Sequence, residues 1–174
     1  WLLIALVVGF LSALMFLLLM RRRVKEKNIS LRQTQQNLNV ILDSVDAHIY
    51  IKDLQLRYQY VNKNVCKLIG LDEKEILGKT DAILFDRDTC KTLQEHDLRV
   101  IKQGERIVEE EINTVLGSDK PQTFLSVKLP LRQEDGSIYA LCGISTDITD
   151  YLLIQKQLRK LALYDSLTGL AADC

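Results

Sequence analysis

Few side chains in this sequence are spaced for chemistry. His96 is flanked by Glu95 and Asp97 in a helix-period stretch, which suits a solvated helix face. Cys66, Cys90, Cys142 and Cys174 form no Cys-x-x-Cys pair and have no histidine at ligand spacing, so the first three read as small packing residues, Cys174 as a product of truncation, and no metal site is expected. Tyr50, Tyr60, Asn62, Ser126 and Ser145 could turn polar atoms into a pocket among apolar neighbours, or equally be hydrogen-bonded core or surface. Phosphoryl transfer needs metal ligands and a phosphate cradle. The chain shows neither a glycine-rich phosphate loop nor a complete acidic metal site, so as it stands it is expected to catalyse nothing.

The elements that would position these residues are set by pattern. His48 to Lys52 and Tyr58 to Asn62 read as short strands joined by a turn at Asp53-Leu54-Gln55. Asn62 to Ile69 reads as a short helix stopped by Gly70, and Asp72 caps a further turn over Glu73 to Leu77. A longer helix is expected from Arg87 to Gln103, with Leu93, Val100 and Ile101 on one face and Gly104 as its stop. Three strands come next: Arg106 to Leu116, Thr123 to Gln133 and Ser137 to Thr146. The second alternates, with Leu125, Val127, Leu129 and Leu131 on one face and Ser126, Lys128 and Arg132 among the others.

Both ends differ from this middle. Residues 1–20 carry no charge, and twenty helical residues match the thickness of a bilayer's hydrocarbon core. Arg21, Arg22 and Arg23 come immediately after, and residues 21–40 hold six basic side chains against Glu26 alone. A membrane helix with its C-terminal end in the cytoplasm is expected. The neutral total charge therefore hides a basic segment and an acidic remainder. Val24, Leu31, Leu38 and Val45 recur every seven residues, a weak heptad with Leu42 beside it. Beyond Asp150, Tyr151, Ile154, Leu158 and Leu161 mark a second stripe on a helix that Thr149 or Asp150 could cap.

Two strands, short helices, a longer helix and three antiparallel strands form an α+β order that resembles a PAS fold over roughly residues 40–150. The pieces that carry the resemblance are Tyr60-Val61-Asn62-Lys63, Leu68-Ile69-Gly70, Glu75-Ile76-Leu77-Gly78-Lys79-Thr80, Glu134-Asp135-Gly136 and Asp147-Ile148-Thr149-Asp150. Asp165-Ser166-Leu167-Thr168-Gly169-Leu170, after Tyr164, resembles the opening of a diguanylate cyclase (GGDEF) domain, although Ala172-Asp173 stands where that family has Asn-Arg. The resemblance implies a five-stranded antiparallel sheet with flanking helices. It divides the chain into a membrane helix (1–20), a basic linker or coiled-coil helix (21–45), a PAS sensor (46–150), a signalling helix (151–164) and the start of a truncated output domain (165–174).

The same resemblance sets the functional expectations. The relay would run through Asp147, Thr149, Asp150, Ile154, Leu158 and Leu161, and the output motif is Asp165, Leu167, Thr168, Gly169 and Leu170. Mg²⁺ and GTP would belong to a downstream hairpin that the sequence lacks. Light-sensing relatives carry a cysteine where Asp81 stands, and a carboxylate cannot form a flavin thioether. Haem-binding relatives take a histidine from the long helix, but His96 falls about one turn late. Flavin and haem are thus not expected, while an unidentified small molecule in the cavity stays open. The expected partners are the inner membrane and a second copy in a parallel homodimer, not nucleic acid, with the PAS domain in the cytoplasm. A histidine kinase fragment and a stand-alone binding module are the alternatives. No histidine occurs after Asp150, which disfavours the kinase.

Overall fold

The computed structural model describes residues 1–118 and 120–168, with the side chains of 2–8, 10–14 and 162–168 outside that description. The chain divides into two units, Trp1–Ser44 and Val45–Cys174. The first is one continuous helix, α1 (Leu2–Ser44). Val24, Leu31 and Leu38 of its stripe are exposed. Among the described residues no helix is long and apolar enough to cross a membrane. The span expected at 1–20 falls mostly on side chains outside them.

The second unit is a five-stranded antiparallel sheet in the order β2-β1-β5-β4-β3. Its strands are β1 (His48–Asp53), β2 (Tyr58–Val61), β3 (Ile107–Asn113), β4 (Gln122–Arg132) and β5 (Ile138–Asp147). The β1–β2 turn forms because Asp53 Oδ1 accepts from the backbone N–H groups of Gln55 and Arg57, both at 2.9 Å. Helix α2 (Lys63–Ile69) starts at Asn62, whose Oδ1 takes the Val65 N–H at 3.2 Å, and stops at left-handed Gly70. Asn62 is therefore a cap and not the first helical residue. Helix α3 (Glu73–Ile76) and a single 3₁₀ turn (Asp81–Ile83) lead to α4 (Arg87–Gln103). Asp86 caps α4 through the Thr89 N–H at 2.7 Å, and Gly104 ends it at φ 69°.

Within this unit α2, α3 and α4 pack against the sheet. The core between them gathers Leu56, Val61, Val65, Ile76, Leu84, Phe85, Leu93, Val100 and Leu141, with Tyr50 and Tyr58. Directly opposed residues of antiparallel strands share a face, so the register assigns each side chain a side. Here the alternation of β4 is informative. Phe124, Ser126 and Lys128 are the buried set, whereas Leu125 is 38% exposed and Val127, Leu129 and Leu131 are only half-buried. The polar parity faces inward and the leucine parity outward.

Helix α5 (Thr149–Thr168) begins one residue after β5. Neither Thr149 nor Asp150 caps it as expected. Asp147 Oδ1 takes the Thr149 N–H at 2.9 Å, and Thr149 Oγ1 instead accepts from the Thr123 N–H of β4 at 2.8 Å. The expected output motif falls partly on this helix. The side chains of Asp165, Leu167 and Thr168, and all of Gly169 and Leu170, lie outside the described residues.

Candidate functional site

The inward parity of the sheet builds the site. His48 and Tyr50 of β1 sit opposite Ser145 and Gly143 of β5, and Ser126 and Lys128 of β4 sit opposite the same two residues. On the far side, Glu111 of β3 sits opposite Phe124. Gly143 is the enabling residue: a Cβ there would overlap the Tyr50 ring, which lies across the strand at that point.

A ladder of charge runs across this face. Lys52 Nζ donates to Asp81 Oδ2 at 2.6 Å and to Asp97 Oδ2 at 2.7 Å. Asp97 Oδ1 lies 2.8 Å from Lys128 Nζ, which lies 2.9 Å from Glu111 Oε1. Those last two pairs are close contacts of opposite charge without hydrogen-bond alignment. Glu111 Oε1 is also 2.7 Å from His96 Nδ1. The Tyr58 hydroxyl donates to Asp81. The Lys52 ammonium sits 5.3 Å and 4.9 Å from the ring centres of Tyr50 and Tyr58. Lys52, Lys128, Asp97 and Glu111 are each no more than 2% exposed. A charge so buried is tolerated only when paired.

Burial and pairing compete at every rung. Burial alone would push the Asp97 carboxyl up, but Lys52 and Lys128 together hold it below its ordinary 3.8. Glu111 is likewise pushed up by burial and brought below 4.5 by Lys128 and by the His96 contact. Burial pulls both ammoniums down, yet Asp97 and Asp81 leave Lys52 raised, and Asp97 and Glu111 leave Lys128 raised. All four groups are therefore held in their charged forms. Tyr50 and Tyr58 are pushed well up, first by burial and then by nearby carboxylates, so both phenols stay neutral.

Beside the ladder lies a small cavity, with about 30 Å³ open to the centre of a water molecule. That is room for one or two waters. One wall is apolar, from Val65, Leu68, Ile69, Phe85 and Leu93. The other carries His48, Tyr50, Lys52, Glu111, Asn113 and Ser145. Two of these wall residues lead out to α5. His48 Nδ1 is 3.1 Å from the Ser145 carbonyl oxygen, and its ring meets Phe124 edge-on at 5.4 Å. Phe124 is paired in register with Asp147, which caps α5 and also accepts from Gln122 Nε2 at 2.8 Å.

The structure separates the candidates read from the sequence. Tyr50 lines the cavity, and Ser126 stands beside it, 2.8 Å from the Ser145 hydroxyl. Asn62 is used by the backbone: its Oδ1 accepts from Ile49 and Val65, and its Nδ2 donates to the Ala47 carbonyl. Tyr60 pairs with Ile51 on the parity that faces away from the site. His96 and Asp97 do not form a solvated face. The His96 side chain is 18% exposed and rests on Glu111, and Asp97 is fully buried. Lys52, Asp81, Asp97, Glu111 and Lys128 were not among the candidates. Asp97 had a signal, since it falls four residues after Leu93 and three before Val100, on the apolar stripe of α4. Lys128 had one too, sharing parity with Phe124.

Relay residues Ile154, Leu158 and Leu161 are exposed, as is Tyr151, so the stripe on α5 does not pack on its own domain. Among the described residues no cluster of His, Cys, Asp and Glu could hold a metal ion.

Comparison with known proteins agrees with this architecture. The family described as PAS fold matches residues 42–151. The chain is 32% identical over 123 residues to the methanogenesis regulatory histidine kinase FilI of Methanothrix harundinacea, covering 71% of this chain and 14% of that protein. It is 31% identical over 132 residues to a diguanylate cyclase of Vibrio cholerae, covering 75% of this chain and 41% of that one. The chain thus spans less than half the length of either relative. Among solved structures, the Vibrio cholerae VqmA dimer matches with a TM-score of 0.59 at 22% identity, over 67% of this chain and 52% of that one.

Proposed function

The chain belongs to the PAS family, and we propose that it is the sensor module of a membrane-anchored diguanylate cyclase, passing a signal from its cavity to a cyclic di-GMP-producing output domain. PAS domains of this kind serve in signalling proteins, as the kinase and cyclase relatives illustrate. The observation that carries the relay is the seat of α5. Its first residue is bonded to β4 and capped from β5, two residues beyond the cavity-lining Ser145. The stripe it then presents is uncovered. An uncovered stripe at coiled-coil spacing suits pairing with a second copy, and α1 presents a similar one.

The proposed anchoring rests on the uncharged sequence of residues 1–20 and on Arg21–Arg23, a pattern that supports an inner-membrane helix with the sensor on its cytoplasmic side. Asp165 to Leu170 favours the cyclase over the kinase output that FilI represents. Mg²⁺ and GTP would be handled by the output domain alone.

The test is a phase experiment in a protein carrying the complete output domain. One residue inserted between Gln157 and Leu158 turns the downstream helix by about 100°, whereas seven residues restore the stripe. Regulation should be lost in the first and kept in the second. Equal regulation in both would leave α5 as a passive tether.

A further inference from the structure

We propose that the cavity takes a small organic cation, an ammonium or amidinium head on a short apolar body; this deepens the sensor reading above and rests on it. Lys52, the ammonium that lines the cavity, already donates to Asp81 and Asp97. Lys128 has no aligned hydrogen bond, but it is not among the lining residues and lies between Asp97 and Glu111. The free valence on the cavity lining is an acceptor. Glu111 lines the cavity, and its second oxygen, Oε2, is buried with no hydrogen-bond partner among the described residues. Leaving such a group unmatched is unfavourable, and a charged donor is its strongest complement.

Charge points the same way. The ladder holds three carboxylates, Asp81, Asp97 and Glu111, against two ammoniums. Counted over these five groups alone it carries one excess negative charge, which a bound monocation would balance in surroundings where charge is weakly screened. Asn113 and Ser145 add acceptors to the same lining, which also includes the Tyr50 and Phe124 rings.

Size sets the remaining features. A space of about 30 Å³ accepts a head group of roughly water size. The body must therefore press on the apolar wall, where Leu68 and Ile69 belong to the seven-residue helix α2. Short aliphatic or compact planar bodies fit this wall better than long or polar ones.

The full chain in detergent is titrated with n-propylammonium and with acetamidinium, with propionate and acetamide as the charge-reversed and neutral controls. Binding is read by calorimetry and by thermal shift. Both cations should bind saturably and at least about tenfold more tightly than either control, a difference of ~1.4 kcal/mol. Glu111→Gln should weaken them by at least as much. Because that variant also removes a partner of Lys128, Leu68→Trp and Asn113→Leu leave the ladder intact and test the site separately. Leu68→Trp should abolish binding by filling the cavity, and Asn113→Leu should weaken it. The proposal is overturned if neither cation binds, if a control binds as tightly, or if both of these variants bind normally. These readouts are independent of cyclase output, so a failed insertion experiment would leave them standing, and the reverse.

Discussion

The two faces of one sheet obey opposite rules. On the inner face of β3, β4 and β5, Glu111, Ser126, Lys128 and Ser145 are sealed from solvent. On the outer face of β3 and β4, Val108 is 46% exposed, Ile112 68% and Leu125 38%. A monomer optimised only for its own stability would place these sets the other way round. Buried ion ladders are poor sources of net stability, because desolvation consumes most of the attraction. An apolar sheet face left in water is the usual mark of a surface meant to be covered. The inner face is thus specified for polarity, and the outer face for contact.

The largest expected effect lies inside. Lys128→Ala would leave Asp97 and Glu111 without their shared counter-charge and should cost about 3–5 kcal/mol in denaturant unfolding. Loss of under about 1 kcal/mol would mean that the ladder is solvated and the contrast between the faces is unreal. The same ladder predicts an acid limb. Asp97 and Glu111 titrate lower in the folded protein, so their contribution is fully present above their ordinary values of 3.8 and 4.5 and is lost as pH falls through the lowered folded values. Unfolding free energy measured from pH 6 downward should fall there, and the fall should shrink in Asp97→Asn.

Gly143→Ala comes next. The added methyl meets the Tyr50 ring, and the resulting overpacking should cost about 1–3 kcal/mol. Tyr50→Leu should recover most of that in a double-mutant cycle, and strict additivity would show that the ring does not lie on the glycine.

The smallest effect on folding belongs outside. Ile112→Ser and Val108→Ser should change monomer stability by about 0.5 kcal/mol or less. Their effect should appear instead in sedimentation, as weaker self-association. A large loss of stability with unchanged association would erase the distinction between the faces.

Most of the fold was legible because its punctuation is local. Gly70, Asp72 and Gly104 start or stop helices through their own side chains or backbone freedom, and the strand boundaries fell within a few residues. The site was less legible because its chemistry is assembled across distance. Lys52, Asp81, Asp97, Glu111 and Lys128 come from five separate elements, and each alone looks like an ordinary surface charge. Parity decides whether a strand lysine is solvated or buried, and the leucines of β4 offered the more obvious inside. The cap of α5 was displaced for a related reason. Thr149 has a nonlocal partner in Thr123, which leaves the local task to Asp147.

The seat of α5 has a mechanical consequence. Thr123, Gln122 and Asp147 grip only the first turn. The helix that leaves them has 20 residues and so extends about 30 Å. It is a lever with a short arm in the sheet and a long arm outside. A tilt of about 10° at the grip would sweep the far end through roughly 5 Å, comparable to one helical turn. Sliding of β4 against β5 too small to disturb their ladder could then be read at the far end as a change of partner contacts.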